Sequence, residues 1–232
     1  MVDHDPPPPL PIVVGGAEGR MGQLAVSAIA ACPDLVVAGC LRRGDDPSAL
    51  LRPELAQVYL DLTLASAARV LAPAAARAGL CPVVGTSGLT EEDVDRLGQA
   101  CSEGGVGGLL VPNFSLGAVL QMKAAEELAR HLSCTGIAEV HHSAKRDSPS
   151  GTARATAQRI ALSSGSPPPR ISSERRDDAL AEQALTFATS HERLVLHHVV
   201  SDRQAYMPGL LLALRQVRSC QGLVQGLDSL LD

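Results

Sequence analysis

The chain has 232 residues, which is enough for one large domain or two smaller ones with their own cores. Hydrophobic residues make up 45% of it and aromatic residues only 2%, so Ala, Val, Leu and Ile must build the core, which favours helices packed on a parallel sheet over a β-sandwich. The net charge of −5, without a basic block, argues against a nucleic-acid partner.

Residues 1–11 form a Pro-rich lead that is predicted to be extended and disordered. The lead lacks the basic and apolar regions of a signal peptide, and no apolar run in the chain approaches membrane-spanning length. We therefore expect a cytoplasmic protein without a membrane partner.

A glycine-rich turn follows the first predicted strand, Ile12–Val14. Its spacing is Gly16-x-x-Gly19-x-x-Gly22, and the apolar run after Gln23 predicts a helix. A strand, a glycine turn and a helix in this order are typical of a dinucleotide-binding unit, in which backbone amides approach the pyrophosphate. A simple tight turn remains an alternative, because the spacing differs from the usual G-x-G-x-x-G.

The second predicted strand, Leu35–Leu41, leads into Arg42 and Arg43, where NAD-preferring proteins place an acidic residue. An acidic side chain would repel a 2′-phosphate, whereas guanidinium groups bind one through paired hydrogen bonds. The two arginines therefore predict a preference for NADPH, with two solvated surface arginines as the alternative.

Parallel strands separated by helices are predicted as far as residue 114, and they fit the right-handed crossovers of a Rossmann-like sheet. Thr90 and Asp93 predict a capping box at the start of one of these helices. In such sheets the ligand cleft lies at the carboxyl ends of the strands, here between the two domains. The predicted strands begin near residues 12, 35, 58, 81 and 108.

The densest chemistry lies in residues 139–153. A predicted strand ends at His141, a polar loop follows, and a helix runs on from Ala153 with Ser150 or Thr152 as its N-cap. Unpaired N–H groups at a helix N-terminus attract a carboxylate or a phosphate.

Lys145 and one of the two histidines, His141 and His142, add positive charge and exchangeable protons to this loop. The loop therefore suits a small anionic substrate that receives a proton. A packed structural pair of histidines is one alternative. A metal site is less favoured, because adjacent strand residues point to opposite faces of a sheet.

The second half of the chain is predicted to hold a long helix, a linker and two antiparallel strands. The charged residues 171–183 are of uncertain form, and His197 and His198 are interpreted as structural because they alternate within an apolar strand. The helix is predicted over 116–132, the linker over 165–170, and the strands over 184–189 and 193–200.

The pattern His-His-x-x-Lys-x-Asp-x-Pro-Ser-Gly-Thr-Ala over residues 141–153 resembles the signature of the dihydrodipicolinate reductases, also called 4-hydroxy-tetrahydrodipicolinate reductases. Further segments resemble the same family in the same order. They are Gly-Ala-x-Gly-Arg-Met-Gly at 16–22, Asp-Leu-Thr at 61–63, Gly-Thr-Ser-Gly at 85–88, Pro-Asn-Phe-Ser at 112–115 and Ser-x-Arg at 201–203.

The resemblance implies NAD(P)H-dependent reduction of 4-hydroxy-tetrahydrodipicolinate to tetrahydrodipicolinate, in the diaminopimelate route of lysine biosynthesis. It makes His141 the acid–base residue and Lys145 the proton donor, with no metal. It also places His142, Gly151 and Thr152 on the carboxylates of a small dicarboxylate substrate.

The resemblance also implies a set of cofactor-binding residues in the loops that follow the parallel strands. Family members that use either cofactor often carry Glu-Arg where this chain has Arg42-Arg43, so NADPH is expected to be preferred and NADH to be possible. The implied cofactor residues are Gly16, Ala17, Glu18, Gly19, Arg20, Met21, Arg42, Arg43, Gly85, Thr86, Ser87, Val111, Pro112, Asn113 and Phe114.

The implied fold is α/β, with an N-terminal Rossmann-like parallel-sheet domain, a smaller α+β C-terminal domain and a final helix that returns to the first domain. We expect residues 12–114 and 203–232 to bind the dinucleotide, and residues 115–202 to bind substrate and form oligomers. The family suggests a homotetramer, but the region 165–200 is shorter here than in most members, which leaves the assembly open.

Two other functions stay open at this point. One is an NADPH-dependent reductase that acts on another small anion, and the other is a non-catalytic NADPH-binding protein. The cysteines show no Cys-x-x-Cys spacing and are predicted to be reduced thiols rather than a disulfide framework. They are Cys32, Cys40, Cys81, Cys101, Cys134 and Cys220.

Overall fold

The computed structural model describes residues 7–231, which divide into two compact units. The first unit runs to Phe114 and resumes at Tyr206, and the second is Ser115–Ala205. In chain order the elements are β1 Leu10–Gly15, α1 Arg20–Ala30, β2 Leu35–Leu41, α2 Pro47–Leu50, β3 Val58–Asp61, α3 Ala65–Arg77, β4 Cys81–Val84, α4 Glu91–Gly104, β5 Gly108–Leu110, α5 Leu116–Ala129, β6 Cys134–His142, α6 Gly151–Ser164, β7 Ile171–Arg176, β8 Ala181–Ala188, β9 Arg193–Val200, α7 Met207–Gln216 and β10 Leu223–Gln225.

The first unit contains a six-stranded parallel sheet in the order β10-β5-β4-β3-β1-β2. This confirms the predicted Rossmann-like domain and its first five strands. The prediction was wrong for Leu10 and Pro11, which pair with β2 inside β1 rather than belonging to the lead. The part of the predicted disordered lead before residue 7 lies outside the described residues.

Two short elements of this unit were not predicted. The strand β10 adds to the free edge of β5, and the one-turn helix α2 is capped by the Asp46 side chain, which accepts from the Ser48 N–H. Both elements have too few residues to show a period of apolar positions, which is the signal that sequence reading relies on.

The core of the first unit consists mainly of small aliphatic side chains, as the composition predicted. In α3, the alanines Ala68, Ala72, Ala75 and Ala76 are buried, and their small size lets α3 and α4 pack closely. The predicted capping box is present, because the Thr90 hydroxyl accepts from the Asp93 N–H while the Asp93 carboxylate accepts from the Thr90 N–H.

The C-terminal helix α7 belongs to the first unit, which confirms that the final helix returns there. It packs on α1, and Arg215 donates two hydrogen bonds of 2.7 and 3.0 Å to the Asp34 carboxylate before β2. Gly209 allows the close approach of α7 to the segment that follows β5, because a Cβ there would lie 2.1 Å from the Phe114 carbonyl oxygen.

The second unit is a four-stranded sheet in the order β7-β6-β8-β9, packed against α5 and α6. The strand β7 pairs with β6 in parallel, and the other pairs are antiparallel. The segment 171–183, left uncertain by the sequence, thus forms β7 and the start of β8. The strand β7 is a sheet edge and is polar except for Ile171, so its sequence carries no strand signal.

A buried glutamine pair ties both helices of the second unit to its sheet. The Gln121 side chain of α5 donates to the Gln183 and Leu196 carbonyls, at 2.9 Å each. The Gln183 side chain in turn donates to the Gln121 carbonyl oxygen and to the Thr156 hydroxyl of α6, at 3.1 Å each. Since buried amides are costly without partners, this network fixes one register of helices and strands.

Among residues 7–231, no helix is both long and apolar enough to cross a membrane. The six cysteines are free thiols.

Candidate active site

The turn between β1 and α1 brings backbone segments unusually close together. The Gly19 N–H donates to the Gly16 carbonyl at 3.0 Å, and Gly16 has the positive φ of +78° that favours glycine. A Cβ at Gly22 would lie 2.1 Å from the Gly16 carbonyl oxygen. The helix α1 starts at Arg20, three residues earlier than predicted, because Gly19 takes the N-cap position.

A cavity of about 360 Å³ opens beside this turn, at the carboxyl ends of β1, β2 and β3. Its glycine backbone and paired arginines suit the phosphates of a dinucleotide, and its apolar wall suits an adenine ring. Six of the implied cofactor residues line it, namely Gly16, Ala17, Glu18, Gly19, Arg42 and Arg43. Thr63, from the Asp-Leu-Thr segment, also lines it. The other lining residues, which sequence reasoning missed, are Leu41, Leu64, Ser66, Ala67 and Leu71.

The Arg42 guanidinium already has a counter-ion at this cavity. Its Nε lies 3.1 Å from the Glu18 carboxylate of the glycine turn, and both side chains are exposed. The Arg42 backbone N–H donates to the Asp45 carboxylate at 2.8 Å, which fixes the start of the loop after β2. An anion bound between Arg42 and Arg43 would therefore compete with Glu18.

Asp61, at the end of β3, is hydrogen-bonded to the loops next to the cavity. Its fully buried carboxylate accepts from the Tyr59 hydroxyl at 2.9 Å, from the Thr63 N–H at 3.0 Å, and from the Thr63 and Thr86 hydroxyls at 2.7 Å each. Burial, together with the Asp61 charge, raises the pKa of the Tyr59 phenol far above its usual range. Asp61 thus joins the loop after β3 to the loop after β4.

The loops after β4 and β5 meet at an aromatic ring. A Cβ at Gly85 would lie 2.4 Å from the Phe114 ring, so only glycine lets the ring pack against this loop. The Val111 N–H donates to the Val84 carbonyl at 2.8 Å and keeps the two loops side by side. The remaining implied cofactor residues of this edge follow the same two strands, and they are Thr86, Ser87, Pro112 and Asn113.

The polar loop of the second unit lies between β6 and α6. The structure decides between the two predicted N-caps in favour of Ser150, whose hydroxyl accepts from the Ala153 N–H at 3.1 Å. Gly151 and Thr152 therefore form the first turn of α6, where backbone N–H groups point away from the helix.

His141 and His142 have different surroundings at the end of β6. The ring Nδ1 of His142 accepts from the Ala144 N–H at 3.1 Å, and the ring is exposed. The half-buried ring of His141 places Nδ1 against the Glu139 carboxylate on the same strand face. Burial lowers the pKa of His141, and the nearby Lys145 charge adds to this, while the Glu139 charge opposes it.

Glu139 is a buried carboxylate that the sequence did not single out. Its Oε1 accepts from both terminal nitrogens of Arg175 at 3.2 Å and from the Ser150 N–H at 3.3 Å. Burial by itself would raise the pKa of Glu139, but the Ser173 hydroxyl and the charges of His141 and Arg175 bring it below its usual value. Glu139 is therefore ionised at neutral pH.

Lys145 pairs with Asp147 in the same loop, with 2.8 Å between the ammonium nitrogen and a carboxylate oxygen. The hydrogen bond from Lys145 and its charge, together with the N–H of Gly151, hold the pKa of Asp147 below its usual value. The Asp147 carboxylate of this loop thus lies at the Gly151 N–H, the first amide of α6. We expect a carboxylate of the substrate to bind at the same end of the helix.

The second histidine pair lies away from this loop. His198 packs its Nε2 3.3 Å from the Ser115 hydroxyl, and a Cβ at Gly117 would lie 2.6 Å from the same nitrogen. Burial lowers the pKa of His198. His197 lies on the other sheet face, 3.6 Å from the Glu182 carboxylate.

A parallel sheet with a glycine turn and a dinucleotide-sized cavity, followed by a unit with a histidine–lysine loop, defines the class of NAD(P)-dependent oxidoreductases with a Rossmann-type domain. Two family models match almost the whole chain. The dihydrodipicolinate reductase N-terminus model covers residues 10–114, and the C-terminus model covers residues 117–231. The chain belongs to the dihydrodipicolinate reductase family.

Individual relatives agree with this placement. A 4-hydroxy-tetrahydrodipicolinate reductase of Moorella thermoacetica is 35% identical over 260 aligned positions, covering 95% of this chain and 97% of the relative. One from Legionella pneumophila is 35% identical over 239 positions, covering 95% and 98%. The solved structure of dipicolinate-bound dihydrodipicolinate reductase from Paenisporosarcina sp. TG-14 matches with a TM-score of 0.84 and 27% identity, covering 95% of this chain and 99% of that one.

Proposed function

We propose that the protein reduces 4-hydroxy-tetrahydrodipicolinate to tetrahydrodipicolinate with NAD(P)H, as a cytoplasmic enzyme of the diaminopimelate route to lysine. The observation that carries this proposal is the loop between His141 and Thr152, which combines a histidine, a lysine and a helix N-terminus in a chain that matches reductases over 95% of its length. The Paenisporosarcina relative is described as bound to dipicolinate, a planar dicarboxylate.

The first unit is proposed to bind the cofactor. Its glycine turn offers backbone amides for the pyrophosphate, and Arg42 and Arg43 offer guanidinium groups for a 2′-phosphate, which supports a preference for NADPH over NADH. Gly85 and Phe114 are proposed to border the nicotinamide. When bound, the reduced cofactor supplies the hydride.

The second unit is proposed to bind the substrate. The first-turn amides of Gly151 and Thr152, together with His142, would hold its carboxylates, because these groups offer donors at the positive end of a helix. Lys145 would deliver the proton, since it is an ammonium held in the loop by Asp147. His141 would act as the neighbouring acid–base group.

The proposal is tested by following NADPH absorbance with substrate generated in place by the synthase of the preceding step. NADPH oxidation that depends on the synthase supports the reaction, and faster oxidation than with NADH supports the role of Arg42 and Arg43. Cofactor binding without oxidation would contradict the proposed reaction and point to another anionic substrate or to a binding protein.

We also propose that the protein forms a homo-oligomer through the second sheet, with a tetramer as the family-like assembly. The strand β9 is an edge of that sheet and exposes Leu194, Val195 and Val199, which is unusual for a strand facing water. Light scattering during gel filtration measures the assembly. A monomeric mass at micromolar concentration would contradict it.

A further inference from the structure

The strand pairing of the second unit brings a carboxylate, a guanidinium and a histidine together. In the parallel pair of β6 and β7, Ser173 lies opposite Glu139, and Arg175 lies opposite His141. Side chains two residues apart on a strand share a face, so Glu139 and His141 point the same way. The Arg175 side chain, mostly buried, reaches both Glu139 and the polar loop.

The contact between Glu139 and His141 requires a proton. His141 Nδ1 faces Glu139 Oε2, and within the described part of the chain neither buried atom has another hydrogen-bond partner. The carboxylate is ionised, because Arg175 and the Ser150 N–H both donate to its other oxygen. The shared proton therefore resides on Nδ1 of His141, and Nε2 is left with its lone pair.

Arg175 has a second role in the same arrangement. One terminal nitrogen donates to the Asp147 carbonyl at 2.6 Å, and the other donates to the Glu174 carbonyl at 2.7 Å. Asp147 is the partner of Lys145, so the same guanidinium sets the charge of Glu139 and anchors the backbone of the lysine loop.

We propose that Glu139 and Arg175 are positioning residues of the acid–base site: Glu139 holds His141 as the tautomer with its proton on Nδ1, and Arg175 fixes both Glu139 and the lysine loop. Nε2 of His141 is then the atom that accepts a proton and returns it, with the imidazolium stabilised by Glu139. The inference rests on the proposed function, since it concerns the same site. The His141 tautomer, however, exists without substrate and can be measured in the free protein.

Glu139→Gln should invert this tautomer. The amide oxygen of Gln must face Arg175 and the Ser150 N–H, which only donate, so the amide NH₂ faces Nδ1 of His141. Nδ1 must then be unprotonated and Nε2 protonated. Hydrogen-bond partners that fix the ring of a metal-ligating histidine typically carry 10- to 100-fold effects, and by analogy we expect kcat to fall about 100-fold with little change in KM.

A second carboxylate–histidine arrangement on the same sheet provides a matched control. Glu182 of β8 lies 3.1 Å from Arg176 and 3.6 Å from His197 on the other sheet face, and its side chain is partly exposed. Glu182→Gln removes a similar charge from a similar pair. We expect its kcat and the pH profile of kcat/KM to stay within about twofold of the wild type, as for surface changes in general.

The direct experiment is nitrogen NMR of the protein with ¹⁵N-labelled histidine, with the His141 signals assigned by their loss in His141→Asn. The expected result is a protonated Nδ1 in the wild type, a protonated Nε2 in Glu139→Gln, and a return to Nδ1 in the conservative variant Glu139→Asp. A protonated Nε2 in the wild type would overturn the inference, even if Glu139→Gln does not fold.

The same measurement separates this inference from the proposed function. A protonated Nδ1 in a protein without reductase activity keeps the positioning roles and overturns the reaction. Reductase activity with an unchanged tautomer and unchanged kcat in Glu139→Gln keeps the reaction and overturns the positioning roles.

Discussion

Replacing Asp61 tests how the cofactor edge of the first unit is held in shape. Asp61→Ala removes the acceptor of four hydrogen bonds, two of them buried and two half-buried. Two of the donors have a second acceptor nearby, because the Thr63 hydroxyl lies 3.3 Å from the Leu64 carbonyl and the Thr86 hydroxyl lies 3.2 Å from the Thr63 carbonyl. Within residues 7–231, no second acceptor is seen for the Tyr59 hydroxyl or for the Thr63 N–H.

An unsatisfied buried donor costs about 1–3 kcal/mol, so the loss of the acceptor for the buried Tyr59 hydroxyl and the half-buried Thr63 N–H should together lower the free energy of unfolding by about 3 kcal/mol. For a protein of this size each kcal/mol lowers the Tm by about 2–4 °C, so Asp61→Ala should melt about 6–12 °C lower. Tyr59→Phe removes one donor and keeps the ring, so it should lower the free energy of unfolding by about 1 kcal/mol.

Differential scanning fluorimetry with and without NADPH is the assay. Because the loops after β3 and β4 lose their common anchor, Asp61→Ala should also show a smaller NADPH-induced rise in Tm. Asp95→Ala, at an exposed position of α4, is the control and should lie within about 0.5 kcal/mol of the wild type. The reasoning is refuted if Asp61→Ala has the same Tm as the Asp95→Ala control and shows the full NADPH-induced rise in Tm.

Three further predictions concern the proposed site. Joint replacement of Arg42 and Arg43 by Gln should raise KM for NADPH about 10-fold or more and leave KM for NADH unchanged, since a hydrogen bond to a charged group contributes about 1.5–3 kcal/mol. Initial-rate kinetics measure both KM values. An equal rise in KM for the two cofactors would contradict the 2′-phosphate role. Lys145→Ala should lower kcat by about 10²- to 10⁴-fold, with only the small loss of Tm that comes from breaking its ion pair with Asp147, and near wild-type turnover would remove Lys145 from the chemistry. Asp147 has a lowered pKa in the folded protein, so its pairing stabilises the fold above the ordinary aspartate pKa of about 3.9 and is lost as the pH falls through the lower folded value. Asp147→Asn should therefore lower Tm at pH 7 but not near pH 2, and a pH-independent difference would argue against this linkage.

Local sequence patterns were sufficient where an element has a strong period or a specific end signal. The strand β2 has the predicted bounds, Leu35–Leu41, because its apolar run is flanked by turn residues. The capping box at Thr90 was also predictable, since the interaction spans three residues. Such features depend on neighbours along the chain, which a sequence displays directly.

Features that depend on strand register were not predictable. The strand β7 reads Ile-Ser-Ser-Glu-Arg-Arg, and nothing in it distinguishes Arg175, which reaches Glu139, from Arg176, which pairs with Asp178 and Glu182. The difference follows from the pairing of β6 with β7, which places one arginine on each sheet face. The one signal in the sequence was an acidic residue two positions before a histidine in a predicted strand.

The residues of the proposed cofactor site also divide into those that local motifs predict and those that they do not. The glycine turn and the arginines after β2 were visible as motifs, and they line the cavity. The apolar wall from Leu64 to Leu71 was missed, because a helix that faces a ligand has the same apolar period as one that faces a core.

Isotope transfer tests the central claim most directly. The protein is supplied with NADPH deuterated at both positions of nicotinamide C4 and with substrate made by the preceding synthase, and the product is analysed by mass spectrometry. The account predicts tetrahydrodipicolinate that carries deuterium, formed at a rate that collapses in Lys145→Ala. Unlabelled tetrahydrodipicolinate, or NADPH left unoxidised while bound, would contradict it.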